Sequence, residues 1–337
     1  MTTIMPSTLD TTRAFFEPAL REAVARLDPW SHRVAAYHLG WCDESGQPTP
    51  GQSGKAIRPM MVLLAAQAAG GLAGSAVPGA VAVELVHNFS LLHDDLLDRD
   101  VQRRHRRTVW AVWGEASAIL TGDALLALAH EILLEAPAPT AGRAAWLLAA
   151  ATRELARGQV ADLAFETRAD VGLGECLDMA AAKTASLLST SAGIGAVLVG
   201  APEETVDALL RFGREVGLAF QLVDDVLGVW GDPAVTGKPV HSDLRSRKKS
   251  LPVTYAASRP DCPPELTDWL AGTGEPALES LPGIADLLDK VGARAWALAE
   301  AARRMELAEE ALTGVDLQQH ARGALLALAH FVVERDR

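Results

Sequence analysis

Long Ala- and Leu-rich stretches, punctuated by Gly and Pro, run from one end of this chain to the other, and each reads as a helix. The pattern predicts helices at roughly 9–38, 56–70, 76–99, 108–135, 140–167, 174–200 and 203–230, with several more from about 248 to the end. Between them lie "GQPTPGQSG" (46–54), "GGLAGS" (70–75), "APAPTAG" (136–142), "GAPEE" (200–204) and "GDPAVTGKP" (231–239). No run of alternating Val, Ile and Thr argues for a sheet. No linker separates two regimes of composition and no short repeat is present, so the expectation is one all-α domain over residues 1–337.

Two of the predicted helices carry aspartates near their C-terminal ends. The first cluster is Asp94, Asp95 and Asp98 in "SLLHDDLLDRD"; the second is Asp224 and Asp225 in "FQLVDDVLG". Positions i and i+4 share a helix face, so Asp94 and Asp98 point the same way, with Asp95 turned aside. Carboxylates crowded on one face repel each other, and the helix dipole disfavours anions at this end. Bound cations would relieve both costs. Two such faces opposed across a cavity would suit Mg²⁺, which takes oxygen ligands and shares them between carboxylates and a substrate phosphate. The plainer explanation is a pair of solvated acidic faces. Against it, each cluster follows apolar sequence and is itself followed by basic residues, Arg103 and Arg104 after the first and Lys238 and Lys248 after the second.

Composition narrows the function. Of 337 residues, 49% are hydrophobic, ample for a large core, and only 5% are aromatic. A formal charge of −12 argues against nucleic acid as the main partner. Cys42, Cys176 and Cys262 are widely spaced with no CxxC pair, which suggests a reducing compartment and no structural zinc. The N-terminus lacks a basic start followed by an apolar core, so no signal peptide is expected. The uncharged segment between Lys183 and Glu203 is interrupted by Ser, Thr and Gly, and reads as a buried helix rather than a membrane span. The expectation is a soluble, cytoplasmic protein.

Five motifs, in order, carry a resemblance. They are "GKAIRP" (54–59), "ELVHNFSLLHDDLLD" (84–98) with its trailing Arg103, Arg104 and Thr108, "GQVADLAFE" (158–166), "KTASLL" (183–188), and "FQLVDDVLGVWGDPAVTGKPVHSDLRSRKKSLP" (220–252). Together they resemble the trans-isoprenyl diphosphate synthases, most of all the bacterial short-chain geranylgeranyl and farnesyl diphosphate synthases. The resemblance covers nearly the whole chain. It implies the isoprenoid synthase fold, a single-domain bundle of long antiparallel helices around a central cavity, working as a homodimer. It also implies a Mg²⁺-dependent prenyltransferase with three ions to a site, condensing isopentenyl diphosphate with dimethylallyl, geranyl or farnesyl diphosphate.

Residue by residue, the resemblance implies that Asp94, Asp98 and Asp224 coordinate the metal, with Asp95 and Asp225 adding negative field or water-mediated ligation. Arg103, Lys183 and Lys238 would hold the allylic diphosphate. Lys55, Arg58, His87 and Arg104 would hold isopentenyl diphosphate without metal, with Lys248 in the basic tail. Thr184 and Gln221 would face the reacting allylic carbon; as plain residues they read equally as helix-packing polars, and His87 as a core histidine. Phe89 and Ser90, one to two turns before Asp94, would form the floor that sets chain length, which favours a C20 product ahead of C15.

Three positions depart from the family pattern. Ala56 stands where Arg is common, Arg107 where Pro is usual, and Gly228 where the second cluster would carry its third aspartate. Two competing functions remain. A class I terpene cyclase or lyase would need no isopentenyl diphosphate site, so Lys55, Arg58, His87 and Arg104 argue against it, as does the lack of an Asn-x-x-x-Ser-x-x-x-Glu motif. A non-catalytic partner subunit would have no reason to keep Asp94, Asp95 and Asp98.

Overall fold

The computed structural model describes residues 15–49, 54, 56–232, 240–272 and 276–334. Lys55 and Lys238 lie outside these, as does the start of the first predicted helix. The described chain is helical apart from one short hairpin pairing Gln102–Arg103 with Arg106–Arg107. Its principal helices are α1 (15–24), α2 (Pro29–His38), α3 (Ile57–Ala68), α4 (Val77–Leu97), α5 (Val109–Trp113), α6 (Glu115–Leu134), α7 (Ala141–Glu166), α8 (Leu173–Ala180), α9 (Ser186–Leu198), α10 (Glu203–Trp230) and the short α11 (Ser242–Arg245). Five further helices, ending with Gln319–Glu334, complete the described chain.

Two of the expected helices are broken, each for a local reason. The stretch expected at 9–38 divides before α2, where the Asp28 carboxylate accepts from Trp30 N and Ser31 N and Pro29 occupies the first turn. An Asp cap followed by Pro starts a new helix, because the carboxylate satisfies free N–H groups and Pro needs none. The stretch expected at 108–135 divides at Gly114, whose φ of 84° only glycine adopts without strain. The 174–200 stretch is continuous but passes through a π-helical turn, Ala181–Ala185, between α8 and α9.

Contacts group the chain into two compact units. The first comprises Met1–Ala150, Thr190–Leu210 and Gly314–Leu328; the second comprises Ala151–Ser189, Arg211–Thr313 and Ala329–Arg337. In the first, α4 packs along α6 and against α3, burying Met60, Met61, Leu85, Leu92, Leu125, Leu133 and Ile194 completely. Helix backbones approach closely here. A Cβ on Gly195 would overlap the carbonyl oxygen of Val62 and come within 2.9 Å of Ala66 N on α3. In the second unit, Val229 and Leu244 join Val253, Leu266, Trp269, Leu281 and Leu288 in an apolar cluster. There too glycine admits a close crossing: a Cβ on Gly213 would sit 2.6 Å from Leu188 O.

Two segments, Ala73–Leu97 and Glu115–Leu134, are long and apolar enough to cross a membrane by length and composition. Both belong to the α4–α6 pair, and the fully buried leucines above place their apolar faces in the protein core. The uncharged segment after Lys183 is likewise buried at Leu187, Leu188, Ile194 and Val197.

The Gly195 crossing gives a test of the fold. Gly195→Ala forces α9 away from α3, and overpacking of this kind costs about 1–3 kcal/mol. The expected result is a lower urea midpoint at unchanged slope. An unchanged midpoint would mean that the two backbones are not so close.

Candidate active site

The first unit carries one set of predicted site residues on α4 and the hairpin that follows it. Asp94 and Asp95 occupy the last turn of α4, and Asp98 is its C-terminal cap. Asp95 turns inward and is 1% exposed, with Arg103 Nε donating to its Oδ1 at 2.6 Å. Its other oxygen, Oδ2, is buried without a hydrogen-bond partner among the described residues. Burial pushes the Asp95 carboxyl up to about 6, and Arg103 offsets only part of that rise.

The hairpin turn places Arg104 and His105 at φ 51° and 61°. Two successive positive φ values match the twist of a tight hairpin, but that turn ordinarily uses Asn-Gly. An arginine and a histidine held there store strain of about 1–3 kcal/mol each. The strained turn is pinned on several sides. Tyr37 Oη donates to Arg107 O at 2.7 Å, Arg106 Nη2 donates to Cys42 O at 2.6 Å, and Thr108 Oγ1 donates to Asp100 O at 2.7 Å. The Arg106 guanidinium also lies 4.2 Å from the Tyr37 ring centroid.

A cavity of about 780 Å³ in this unit is lined by Tyr37, His38, Asp95, Arg103, Arg104 and Arg106, among others. Arg107 lines it too, supplying positive charge where the family usually has Pro. Two histidines near these arginines stay neutral. Desolvation, then the charges of Arg103, Arg104 and Arg106, push the His38 imidazole down to about 3. His87 is held well below the usual histidine range by desolvation, then by Arg58, Arg104 and Arg103. Arg58 Nη1 lies 3.3 Å from His87 Nε2. A guanidinium only donates, so Nε2 accepts and its proton sits on Nδ1. Gly54 sits directly against Arg104: a Cβ there would fall 2.9 Å from its Nη2. Phe89 meets the His93 ring edge-on at 4.8 Å, and Ser90 turns its hydroxyl back to His87 O at 2.8 Å.

The second unit carries the other set. Lys183 and Thr184 lie in the π turn, a local widening of the helix that recurs at functional sites. The turn is packed too tightly for a side chain opposite it, since a Cβ on Gly158 would overlap the Lys183 backbone. Lys183 Nζ donates to Asp162 Oδ2 at 2.6 Å. Thr184 Oγ1 donates to Gln221 Oε1 at 2.6 Å, Gln221 Nε2 donates to Asp225 Oδ1 at 2.8 Å, and Leu251 N donates to Asp225 Oδ2 at 2.8 Å. Thr184, Gln221 and Asp225 thus form one hydrogen-bonded line. Asp225 is 3% exposed, and desolvation pushes its carboxyl up to about 6. Asp243, with Asp225, Asp162 and Asp224 behind it, holds the Lys248 ammonium charged and its pKa raised.

The structure therefore brings Asp95 together with Arg103, Arg58 with His87, and Thr184 with Gln221 and Asp225. It also adds residues that the sequence reading did not assign. Asp162 lies in the "GQVADL" motif and Asp243 in the basic tail, so both were in view as motif positions without a role. His38, which lines the cavity, had no signal beyond an ordinary helix. Among the described residues, no three His, Cys, Asp or Glu side chains are grouped closely enough to hold a metal by themselves.

A family model described as Polyprenyl synthetase matches residues 40–278. The chain belongs to the polyprenyl synthetase family. It is 52% identical over 322 residues to the (2E,6E)-farnesyl diphosphate synthase of Mycobacterium tuberculosis, covering 94% of this chain and 90% of that protein. The geranylgeranyl diphosphate synthase of the same organism is 46% identical over 260 residues, covering 77% and 74%. Among solved structures, a polyprenyl synthetase from Streptomyces coelicolor A3(2) superposes with a TM-score of 0.92 at 49% identity, covering 97% of this chain and 99% of that one. The fold of this family member is the all-α isoprenoid synthase fold expected from the motifs.

The two raised carboxyls predict a pH dependence. Folded, Asp95 and Asp225 titrate near 6; unfolded, near 3.9. The folded state therefore keeps a proton that the unfolded chain releases. That stability is full below about pH 4 and is lost as pH rises through about 6. Asp95→Asn and Asp225→Asn cannot ionise, so in metal-free buffer each should gain on the parent by about 1–3 kcal/mol between pH 4 and pH 7. Urea melts across that range test it, and a difference from the parent that does not grow with pH refutes the assignment.

Proposed function

We propose that the protein is a metal-dependent short-chain prenyltransferase that joins isopentenyl diphosphate to an allylic diphosphate. The observation that carries this reading lies in the first unit. A buried aspartate and a run of guanidiniums share one cavity wall, suited to an anion with multiple negative charges, while two neighbouring imidazoles stay uncharged. The relatives' names support the same reaction class.

Mg²⁺ fits the side chains present. The donors offered by both clusters are carboxylate oxygens, and the buried Asp95 Oδ2 lacks a partner. Mg²⁺ is commonly held by one or two carboxylates plus substrate phosphate rather than by an all-protein cage. Asp94, Asp98 and Asp224 are the residues proposed to hold it, with Asp95 and Asp225 behind them. The ion supplies Lewis-acid stabilisation of the charge that develops on a departing pyrophosphate. Lys183, Arg103 and Lys238 are proposed to hold that leaving group. Lys55, Arg58 and Arg104, with His87 buttressing Arg58, are proposed to hold isopentenyl diphosphate.

The allylic carbon–oxygen bond breaks, the carbon forms a bond to the double bond of isopentenyl diphosphate, and the proton lost at the end passes to pyrophosphate. The Thr184 and Gln221 dipoles stabilise the intervening cation without attacking it, and apolar walls keep water away. Phe89 favours a C20 product, while the relative with 52% identity carries a C15 name. A C15–C20 product is therefore proposed. Exposed Ile119, Leu120 and Trp146 are the apolar surface proposed for pairing with a second copy, and a cytoplasmic location is proposed. The deciding assay supplies isopentenyl diphosphate with dimethylallyl, geranyl or farnesyl diphosphate and Mg²⁺. A C15 or C20 diphosphate supports the reading; a hydrocarbon made without isopentenyl diphosphate overturns it.

Asp98 tests the metal assignment. It is exposed at a helix end, so Asp98→Ala should leave the far-UV circular dichroism spectrum intact while turnover falls about 10²-fold or more. Near-parental turnover would remove Asp98 from the metal site.

Phe89 tests the floor. Removing its ring opens apolar volume, and a growing tail gains about 0.8 kcal/mol per CH₂ buried there. Phe89→Ala should yield longer products than the parent. An unchanged length distribution in chromatography of the dephosphorylated products would place the floor elsewhere.

A further inference from the structure

Arg103 and Arg104 are proposed to hold diphosphate, yet neither sits on a helix. Both are carried by the hairpin that pairs Gln102 with Arg107 and Arg103 with Arg106. A two-stranded ribbon by itself is marginal in water, so the placing of these side chains depends on what the ribbon is fastened to. The strand entering the turn is fastened to α4 by the Arg103–Asp95 bond. The turn itself, Arg104 and His105, is held at positive φ by residues that are not glycine. Such a turn keeps its shape only where its surroundings enforce it.

The returning strand is fastened to α2, through Tyr37. This residue is 4% exposed, and its hydroxyl donates to the Arg107 carbonyl at 2.7 Å. Burial pushes the phenol pKa up, so the hydroxyl keeps the proton it donates. The Tyr37 ring meets Trp113 edge-on at 4.8 Å and has the Arg106 guanidinium 4.2 Å from its centroid. That guanidinium also donates to Cys42 O at 2.6 Å. Arg107 closes the ring of contacts by donating to Ala111 O on α5, the helix that carries Trp113. The guanidiniums of Arg106 and Arg107 are thus engaged by protein, although both residues line the cavity.

We infer that Tyr37 is a positioning residue for isopentenyl diphosphate: with Arg106 it clamps the returning strand, and the clamp keeps the strained turn from relaxing and carrying Arg104 off the cavity wall. Neither clamp residue needs to touch substrate. The effect passes through the ribbon, because fixing the Arg107 carbonyl fixes its partner Gln102, and the Arg103–Arg106 pair lies between that pair and the turn. This inference rests on the proposed function.

Steady-state kinetics test it, with isopentenyl diphosphate varied at saturating geranyl diphosphate and Mg²⁺. Tyr37→Phe keeps the ring contacts and removes only the hydroxyl. KM for isopentenyl diphosphate should rise about 3–10-fold, the size of one lost hydrogen bond, while kcat stays within about twofold of the parent. A tyrosine with a purely structural role would instead lower the folded fraction, and so the apparent kcat, at unchanged KM. Arg106→Ala should show the same split and carries the comparison if Tyr37→Phe does not fold, as circular dichroism and a thermal melt will show. His105→Gly separates positioning from direct contact, because glycine takes positive φ without strain and the turn then holds its shape without the clamp. In that background each clamp variant should change KM by less than about twofold, whereas a direct contact with substrate would be lost equally in both backgrounds. If the folded clamp variants keep the parent's KM, or raise it equally with and without His105→Gly, the inference is overturned while the proposed function stands. If the parent chain makes no longer diphosphate from these substrates, the proposed function falls and the inference with it.

Discussion

Negative charge gathered in the last turn of α4 and in the turn before the last of α10 is the constraint on which the neighbouring structure depends. A carboxylate near a helix C-terminus meets the unfavourable pole of the helix dipole, and a second on the same face adds repulsion. At an effective dielectric near 20, unit charges 4 Å apart interact by about 4 kcal/mol, a large fraction of typical net stability. The protein answers with tethered cations. Arg103 reaches back to Asp95 across the hairpin, Lys183 pairs with Asp162, and Lys248 sits in the field of four aspartates. Neutralisation is incomplete, since burial still holds the carboxyls of Asp95 and Asp225 near 6. The remaining deficit of positive charge is what a cation bound with a diphosphate would fill.

Holding charges in place requires rigid support, and the support comes from close helix packing. Gly158 lets α7 approach the π turn that carries Lys183 and Thr184, and Gly213 lets α10 approach Leu188 O. Backbone strain is concentrated on residues of the same regions. Ala56, Arg99, Arg104, His105, His241 and Arg247 are the non-glycine residues with positive φ among those described. Five of the six lie in or beside motifs carrying acidic or basic site residues, and the sixth, Arg99, directly follows Asp98. Such conformations persist where surrounding structure over-determines them, as the fixings of Tyr37 and Arg106 on the hairpin do.

How far the sequence could be read depended on the range of the interactions involved. Helices α3, α4, α7 and α10 were legible nearly to their ends because long apolar runs and Gly/Pro breakers act locally. The breaks at Asp28–Pro29 and Gly114 were also written in local signals, but the apolar runs around them outweighed a single cap or glycine in the reading. The aspartate clusters stood out because acid after apolar sequence is costly without a purpose. Asp243 was not legible as a neighbour of Gly228: fifteen positions separate them, and only folding the chain back over the end of α10 brings them together. The hydrogen-bonded line from Thr184 through Gln221 to Asp225 joins separate helices, so spacing alone left Thr184 and Gln221 readable as packing polars.

The neutral histidines sharpen the division of labour between charge types. His87 and His38 sit among arginines that suppress their protonation, so the positive charge in that part of the first unit stays on guanidiniums. Guanidiniums do not deprotonate in proteins and present fixed forks that match phosphate oxygens. An anion held only by Arg58 and Arg104 would therefore feel little change between pH 5 and 8 beyond its own ionisation. Carboxylates that titrate near 6 behave otherwise, because each proton they take removes negative charge that would help hold a metal. A diphosphate bound through metal should then weaken as pH falls through 6, while one bound by arginine alone should not. The same structural choice, keeping imidazoles neutral and burying carboxylates, would give an anion held through metal and an anion held by arginine different pH responses.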